Sequence, residues 1–145
     1  MQIYRLESPN AAYIELRTAL WPDGADEHER EIEWMLERPD KWALLVAEGS
    51  DRRLLGLLEV SLREYAEGAS TSPVGYLEGW YVRPEYRGLG VGRALVEAGE
   101  AWVRSQGCRE IASDTQPENE ASRFAHERLG YREVERLVCF LKELT

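Results

Sequence analysis

The stretch YLEGWYVRPEYRGLGVGRALVEA (76–98) decides the fold. It opens as an alternating β-type run and breaks at Arg83 and Pro84, because proline cannot donate to a ladder. It then passes through Arg87, Gly88, Leu89, Gly90, Val91, Gly92 and Arg93 and closes as an amphipathic helix. The first turn of a helix presents unpaired N–H groups and the positive end of the macrodipole. Gly88, Gly90 and Gly92 take away side chains that would hold a ligand at a distance, and Arg87 adds fixed positive charge. Strand, glycine turn and helix together make a physical case for binding a pyrophosphate. A flexible turn would use the same glycines, so the rest of the chain has to decide.

Working outward, residues 2–6 alternate and predict a first strand. Ser8 as N-cap and Pro9 in the first turn open a helix with Ala12, Leu16, Ala19 and Leu20 toward the core, ended by Trp21 and Pro22. The acidic loop DGADEHE leads to a second helix with Ile32, Met35 and Leu36 inward, stopped at Arg38 and Pro39. Two strands follow, KWALLVAE and RLLGLLEVSLREY, joined by a polar turn. The fourth strand is VGYLEGWYV, whose alternation puts Tyr76, Glu78 and Trp80 on one face. The third helix spans 90–105, with Val91, Ala94, Leu95, Ala98 and Trp102 on its inner face. REIAS is a fifth strand, a fourth helix runs from about Pro117 to before Gly130, and YREVER and LVCFLKEL read as two last strands. The expected class is α/β or α+β, a mixed twisted sheet of six to seven strands with helices on both faces, in one domain, 1–145.

The 145 residues carry 18 basic and 27 acidic side chains, a net charge of −9. Such a surface repels nucleic acid and anionic membranes and attracts cations, although solubility alone also explains it. Cys108 and Cys139 have no metal-like or disulfide-framework spacing, so no metal is expected. No apolar leader opens the chain and no stretch is long enough to span a bilayer, which predicts a cytoplasmic protein. A P-loop pattern is missing. The glycine spacing, placed after four strands, also argues against a dinucleotide fold.

Arg87, Gly90 and Gly92 in their spacing resemble the acyl-CoA signature of the GNAT superfamily of N-acetyltransferases, and the element order agrees. Asn119 followed by Gly130 and Tyr131 is similar to a second segment of that superfamily. SPVGYLEGWYV, GCREIASDTQPEN, LGYREVERLV and ALWPDG look like the dimeric aminoglycoside 6'-N-acetyltransferases. The resemblance implies acetyl-CoA as co-substrate, a small cationic aminoglycoside as its acceptor, and a homodimer. It implies that backbone groups of Trp80, Tyr81 and Val82 pair with the pantetheine arm, with the Val82 N–H aimed at the thioester oxygen. The amides of Gly88, Leu89, Gly90, Val91, Gly92 and Arg93 would hold the pyrophosphate, and Asn119 would meet the pantetheine, its plainer role being a helix cap.

Glu78 is the candidate base, on the strand that carries the carbonyl-binding backbone, where the 6'-acetyltransferases also have a glutamate. Asp114 and Glu135 add carboxylates for an ammonium-rich substrate, with Thr115 and Glu118 resembling a capping box. Trp21 and Tyr65 offer aromatic faces, or else pack in the core. Two positions depart from the pattern. His126 stands where many members carry the tyrosine that protonates the leaving thiolate, either as that acid or as a packing residue. Gly24 stands where relatives have a histidine, and the nearest one here is His28. Two alternatives stay open: transfer to another amine such as a polyamine or peptide N-terminus, and a non-catalytic acyl-CoA binding module.

Overall fold

Five strands form one sheet in the order β1 (Gln2–Arg5), β2 (Trp42–Glu48), β3 (Leu54–Arg63), β4 (Val74–Val82) and β5 (Ile111–Ser113). The first four pair antiparallel and β5 joins β4 in parallel, so the sheet is mixed. The computed structural model describes residues 1–145. They divide into Met1–Asp114, which holds the sheet, and Thr115–Thr145.

In the first unit, helices cover both faces of the sheet. On one lie α1 (Ala11–Leu20) and α2 (His28–Leu36), packed through Tyr13, Leu16, Ile32 and Met35 onto Leu44, Val46 and Leu57. On the other lies α3 (Val91–Ser105), where Gly99 gives Leu58 and Val60 room to approach. The helix α1 starts two residues later than expected. Asn10 is the N-cap, its side chain accepting from the Tyr13 N–H at 2.8 Å, while Ser8 and Pro9 precede it. Its inner face holds Tyr13, Leu16 and Arg17, and Ala19 is exposed. The acidic loop is a 3-10 turn, Pro22–Glu27, that runs into α2. In α3 the buried stripe is Val91, Leu95, Val96, Gly99 and Val103, so Ala94, Ala98 and Trp102 flank the core and do not centre on it.

The second unit contains α4 (Glu120–Arg128), capped by Asn119 and not by the Thr115–Glu118 pair. Gly130, at φ +92°, turns the chain out of the helix. The two expected last strands are not formed: residues 131–145 carry neither helix nor strand. A strand exists only with a ladder partner, and residues 131–145 pair with none. The sheet therefore has five strands and not six or seven.

Candidate active site

Strand β4 carries a bulge at Glu78. Glu59 faces Gly79 and Val60 faces Leu77, so Glu78 is the extra residue between two paired positions. The bulge corrects the simple alternation. Tyr76 and Glu78 share the face covered by α1 and α2, while Trp80 turns to the α3 face, where its indole meets Gly92. Glu78 accepts from Ser61 Oγ at 2.6 Å and from Arg63 twice, Nε at 2.8 Å and Nη2 at 2.7 Å. The Arg63 guanidinium also lies over the Tyr76 ring, 3.5 Å from its centroid, and the Tyr76 hydroxyl donates to Asp114. Burial first, and then that bond to Asp114, push the Tyr76 hydroxyl well above the ordinary tyrosine range. Asp114, expected to be free to point at a ligand, is thus held by Tyr76.

Trp21 caps α1 and lies against Gly79. A Cβ at Gly79 would come within 2.4 Å of the indole, so only glycine lets the ring rest on β4 beside Glu78. The Arg17 guanidinium sits 4.9 Å from the ring centroid, and His28 Nε2 donates to the Trp21 carbonyl at 3.1 Å. Trp21, Gly24, His28, Glu31, Glu59 and Glu78 line a cleft of about 370 Å³. At its floor, Glu59 is 2% exposed and accepts from the Tyr13 hydroxyl at 2.8 Å. Arg17 Nε stands 3.1 Å from the same carboxylate, an ion pair without hydrogen-bond alignment, and Nη2 reaches Glu31 at 2.9 Å. Burial raises the Glu59 carboxyl above the usual range against the opposing pull of Arg17 and Tyr13. The His28 ring lies next to Gly24, 3.6 Å from where a Cβ would stand, so the loop position that lacks a histidine is backed by one from α2.

The glycine turn has a division of labour the sequence did not reveal. Gly88 and Gly90 adopt φ +77° and +89°, which side-chain-bearing residues rarely do. Gly90 is the N-cap of α3, and the first helical bond runs from the Ala94 N–H to its carbonyl. The N–H groups of Val91, Gly92 and Arg93 precede that bond and stand at the positive end of a four-turn helix. Gly92 serves packing instead: a Cβ there would meet the Trp80 indole at 3.2 Å. Leu89 is exposed, and Arg93 lies 3.9 Å from Glu97. Arg87 folds back, its Nε donating to the Val82 carbonyl at 2.7 Å and its guanidinium 5.4 Å from the Tyr81 ring centroid.

Strand β5 pairs with β4 only through Gly75, Tyr76 and Leu77, so residues 78–82 have an edge with no strand beside it. The Arg83 N–H donates to the Leu55 carbonyl of β3. By alternation the N–H and C=O of Val82 point to the opposite, open edge. A cofactor with amide groups fits such an edge, and a pyrophosphate fits the amides at the start of α3.

The other expected residues are placed as follows. Tyr65 is 65% exposed, which removes the core-packing alternative. In the second unit, Asn119 caps α4, its Oδ1 accepting from the Ser122 N–H at 3.1 Å. His126 Nδ1 donates to the Ser122 carbonyl at 2.7 Å, and its ring meets Tyr131 edge-on. Glu135 is exposed and lies on no strand. Sequence reasoning missed Arg63, Arg17, Tyr13, Glu31 and Glu59. One signal was available: Glu59 stands alone among apolar residues in LLGLLEVSL, and a buried carboxylate needs a partner.

Residues 3–131 match the model of the Acetyltransferase (GNAT) family. An aminoglycoside N(6')-acetyltransferase type 1 of Klebsiella aerogenes is 46% identical over 140 residues, covering 93% of this chain and 91% of its own length. The crystal structure of aminoglycoside antibiotic 6'-N-acetyltransferase AAC(6')-Ih from Acinetobacter baumannii superposes with a TM-score of 0.92 at 36% identity, covering 99% of each chain. AAC(6')-Iy in complex with the bisubstrate analog CoA-S-monomethyl-acetylneamine gives 0.90 at 36% identity, covering 99% of this chain and 98% of that one. The chain belongs to the GNAT acetyltransferase family, and its fold is the GNAT fold.

Proposed function

We propose that this protein transfers the acetyl group of acetyl-CoA to the 6'-amino group of aminoglycosides, in one step and without an acyl-enzyme. The observation that carries the reading is the bulge at Glu78. It sets a carboxylate beside the Trp21 cleft and, on the same strand, next to the open backbone edge of 78–82. The amine nitrogen attacks the thioester carbon, a C–N bond forms, and the C–S bond breaks. Glu78 takes the amine proton, directly or through water. The Val82 N–H meets the charge that develops on the thioester oxygen. Holding both reactants along one strand supplies much of the rate.

Trp80 and Tyr81 backbone groups extend the same edge for the pantetheine arm. Gly88, Leu89, Gly90, Val91, Gly92 and Arg93 supply amides to the pyrophosphate, with Arg87 adding positive charge. For Asn119 and His126 the proposed roles are those the family pattern implies, a pantetheine contact and the acid for the departing thiolate. Trp21, Tyr65, Asp114 and Glu135 are assigned to the aminoglycoside, by aromatic faces and carboxylates respectively. Acetylation turns an ammonium into a neutral amide and so removes a charge the antibiotic uses for binding, which makes resistance the consequence. The relatives named above carry this activity in their names, and dependence on acetyl-CoA supports a cytoplasmic location.

Neomycin and paromomycin differ by an amine or a hydroxyl at the 6' position. Thiol release from acetyl-CoA is expected with neomycin and not with paromomycin. Equal release with both would move the attacked position, and release with neither would remove aminoglycosides as substrates. The protein is also proposed to be a homodimer. Val138, Phe140, Leu141 and Leu144 in the tail are 80–96% exposed, an apolar run that a second copy would cover. Light scattering is expected to return twice the 16.7 kDa chain mass, and a single-chain mass at micromolar concentration would reject the dimer.

A further inference from the structure

Arg63 ends β3 and engages Glu78 with two parallel bonds, Nε to Oε2 and Nη2 to Oε1. Its guanidinium is stacked on the Tyr76 ring, and the same ring's hydroxyl is tied to Asp114. One protein cation thus holds what a substrate ammonium would seek in this site: a carboxylate for a charged hydrogen bond and an aromatic face for cation–π contact. The arginine is the outer partner, its side chain 42% exposed against 19% for Glu78. Its departure into solvent gives up a bidentate charged pair and a stacked aromatic face, a cost that an incoming cation has to offset.

We propose that Arg63 is a built-in counter-cation that occupies the ammonium subsite of Glu78 and Tyr76 and must be displaced by the substrate. The inference rests on the aminoglycoside reading and adds to it a selection rule. A monoamine that enters exchanges one cation for another and gains little. A polycation displaces the one arginine and places a further ammonium group on Glu31, the half-exposed carboxylate of the cleft, so only it recovers the exchange cost. Arg63 also keeps Glu78 from being an uncompensated charge in the meantime, in a place where Ser61 supplies the third bond.

The test is calorimetric binding of neomycin to the full chain, for wild type, Arg63→Met and Arg63→Lys. Arg63→Met is expected to tighten neomycin about five- to tenfold, the reverse of losing a substrate contact, and to steepen the salt dependence of Kd. Arg63→Lys keeps the charge and loses the fork, and is expected to tighten it roughly twofold. It also serves as the readout should Arg63→Met fail to fold. Methylamine is expected to gain as much as neomycin in Arg63→Met relative to wild type, or more, which narrows the preference for the polycation. Neomycin bound equally or more weakly by both variants would overturn the proposal alone. Neomycin bound by none of the three proteins would overturn the aminoglycoside reading and the proposal with it.

Discussion

Replacing Glu78 by Gln is expected to lower kcat/KM for neomycin acetylation by about 10²–10⁴-fold, the range for losing a positioned general base. That loss corresponds to roughly 3–5 kcal/mol of transition-state stabilisation. The substitution keeps the shape but not the acceptor set. Oε2 receives both Ser61 Oγ and Arg63 Nε, while Oε1 receives Arg63 Nη2. An amide offers one oxygen to these donors and turns an NH2 toward the other, so a modest loss of local order accompanies the loss of charge. Two measurements separate the base from the scaffold. Acetyl-CoA affinity is expected to be unchanged, because the proposed cofactor contacts are backbone groups of 80–82 and the amides of the glycine turn. The deficit is also expected to shrink as pH rises, since an amine already deprotonated in solution does not need the base. A loss below tenfold, or one that stays constant across pH, would assign Glu78 to substrate positioning.

The limits of the sequence reading follow from the same strand. The glycine turn and the order of the first five strands and four helices were legible because a proline stop, a glycine turn and a helix start are local features written in a few adjacent residues, and the cofactor was implied by the family resemblance those residues carry. The face on which Trp80 lies was not legible. Alternation predicts Tyr76, Glu78 and Trp80 together, and the bulge, which depends on pairing with β3, sends Trp80 to the other side. The role of Gly79 was hidden for a similar reason. Its missing Cβ matters only because Trp21, 58 positions earlier, lies on it. The last strands failed differently. LVCFL has the composition of a strand, but a strand is a property of two segments, and composition says nothing of whether a second one pairs with it.

Replacing Arg17 by Met is expected to destabilise the protein by about 3–5 kcal/mol, the penalty for leaving one member of a buried pair uncompensated. For a chain of this size that is a fall in Tm of roughly 10–15 °C. Arg17 is buried, and so is Glu59, which also accepts from the Tyr13 hydroxyl. The pH dependence gives the cause away. Burial already holds the Glu59 carboxyl above its usual range, and Arg17 is the largest influence pulling it down. A carboxyl raised in the folded state gives its full stabilisation below its unfolded value and loses it as pH rises through the folded value. Without Arg17 the folded value moves further up, so the window of loss widens toward neutral pH. The Tm difference between wild type and Arg17→Met should therefore be small near about pH 4 and large near about pH 8. In the double variant Arg17→Met, Glu59→Gln the buried charge is gone, and most of the loss near neutrality should be recovered. A deficit that is the same at both pH values, or that the double variant leaves untouched, would mean that Arg17 stabilises the fold by packing under Trp21 and not by neutralising Glu59.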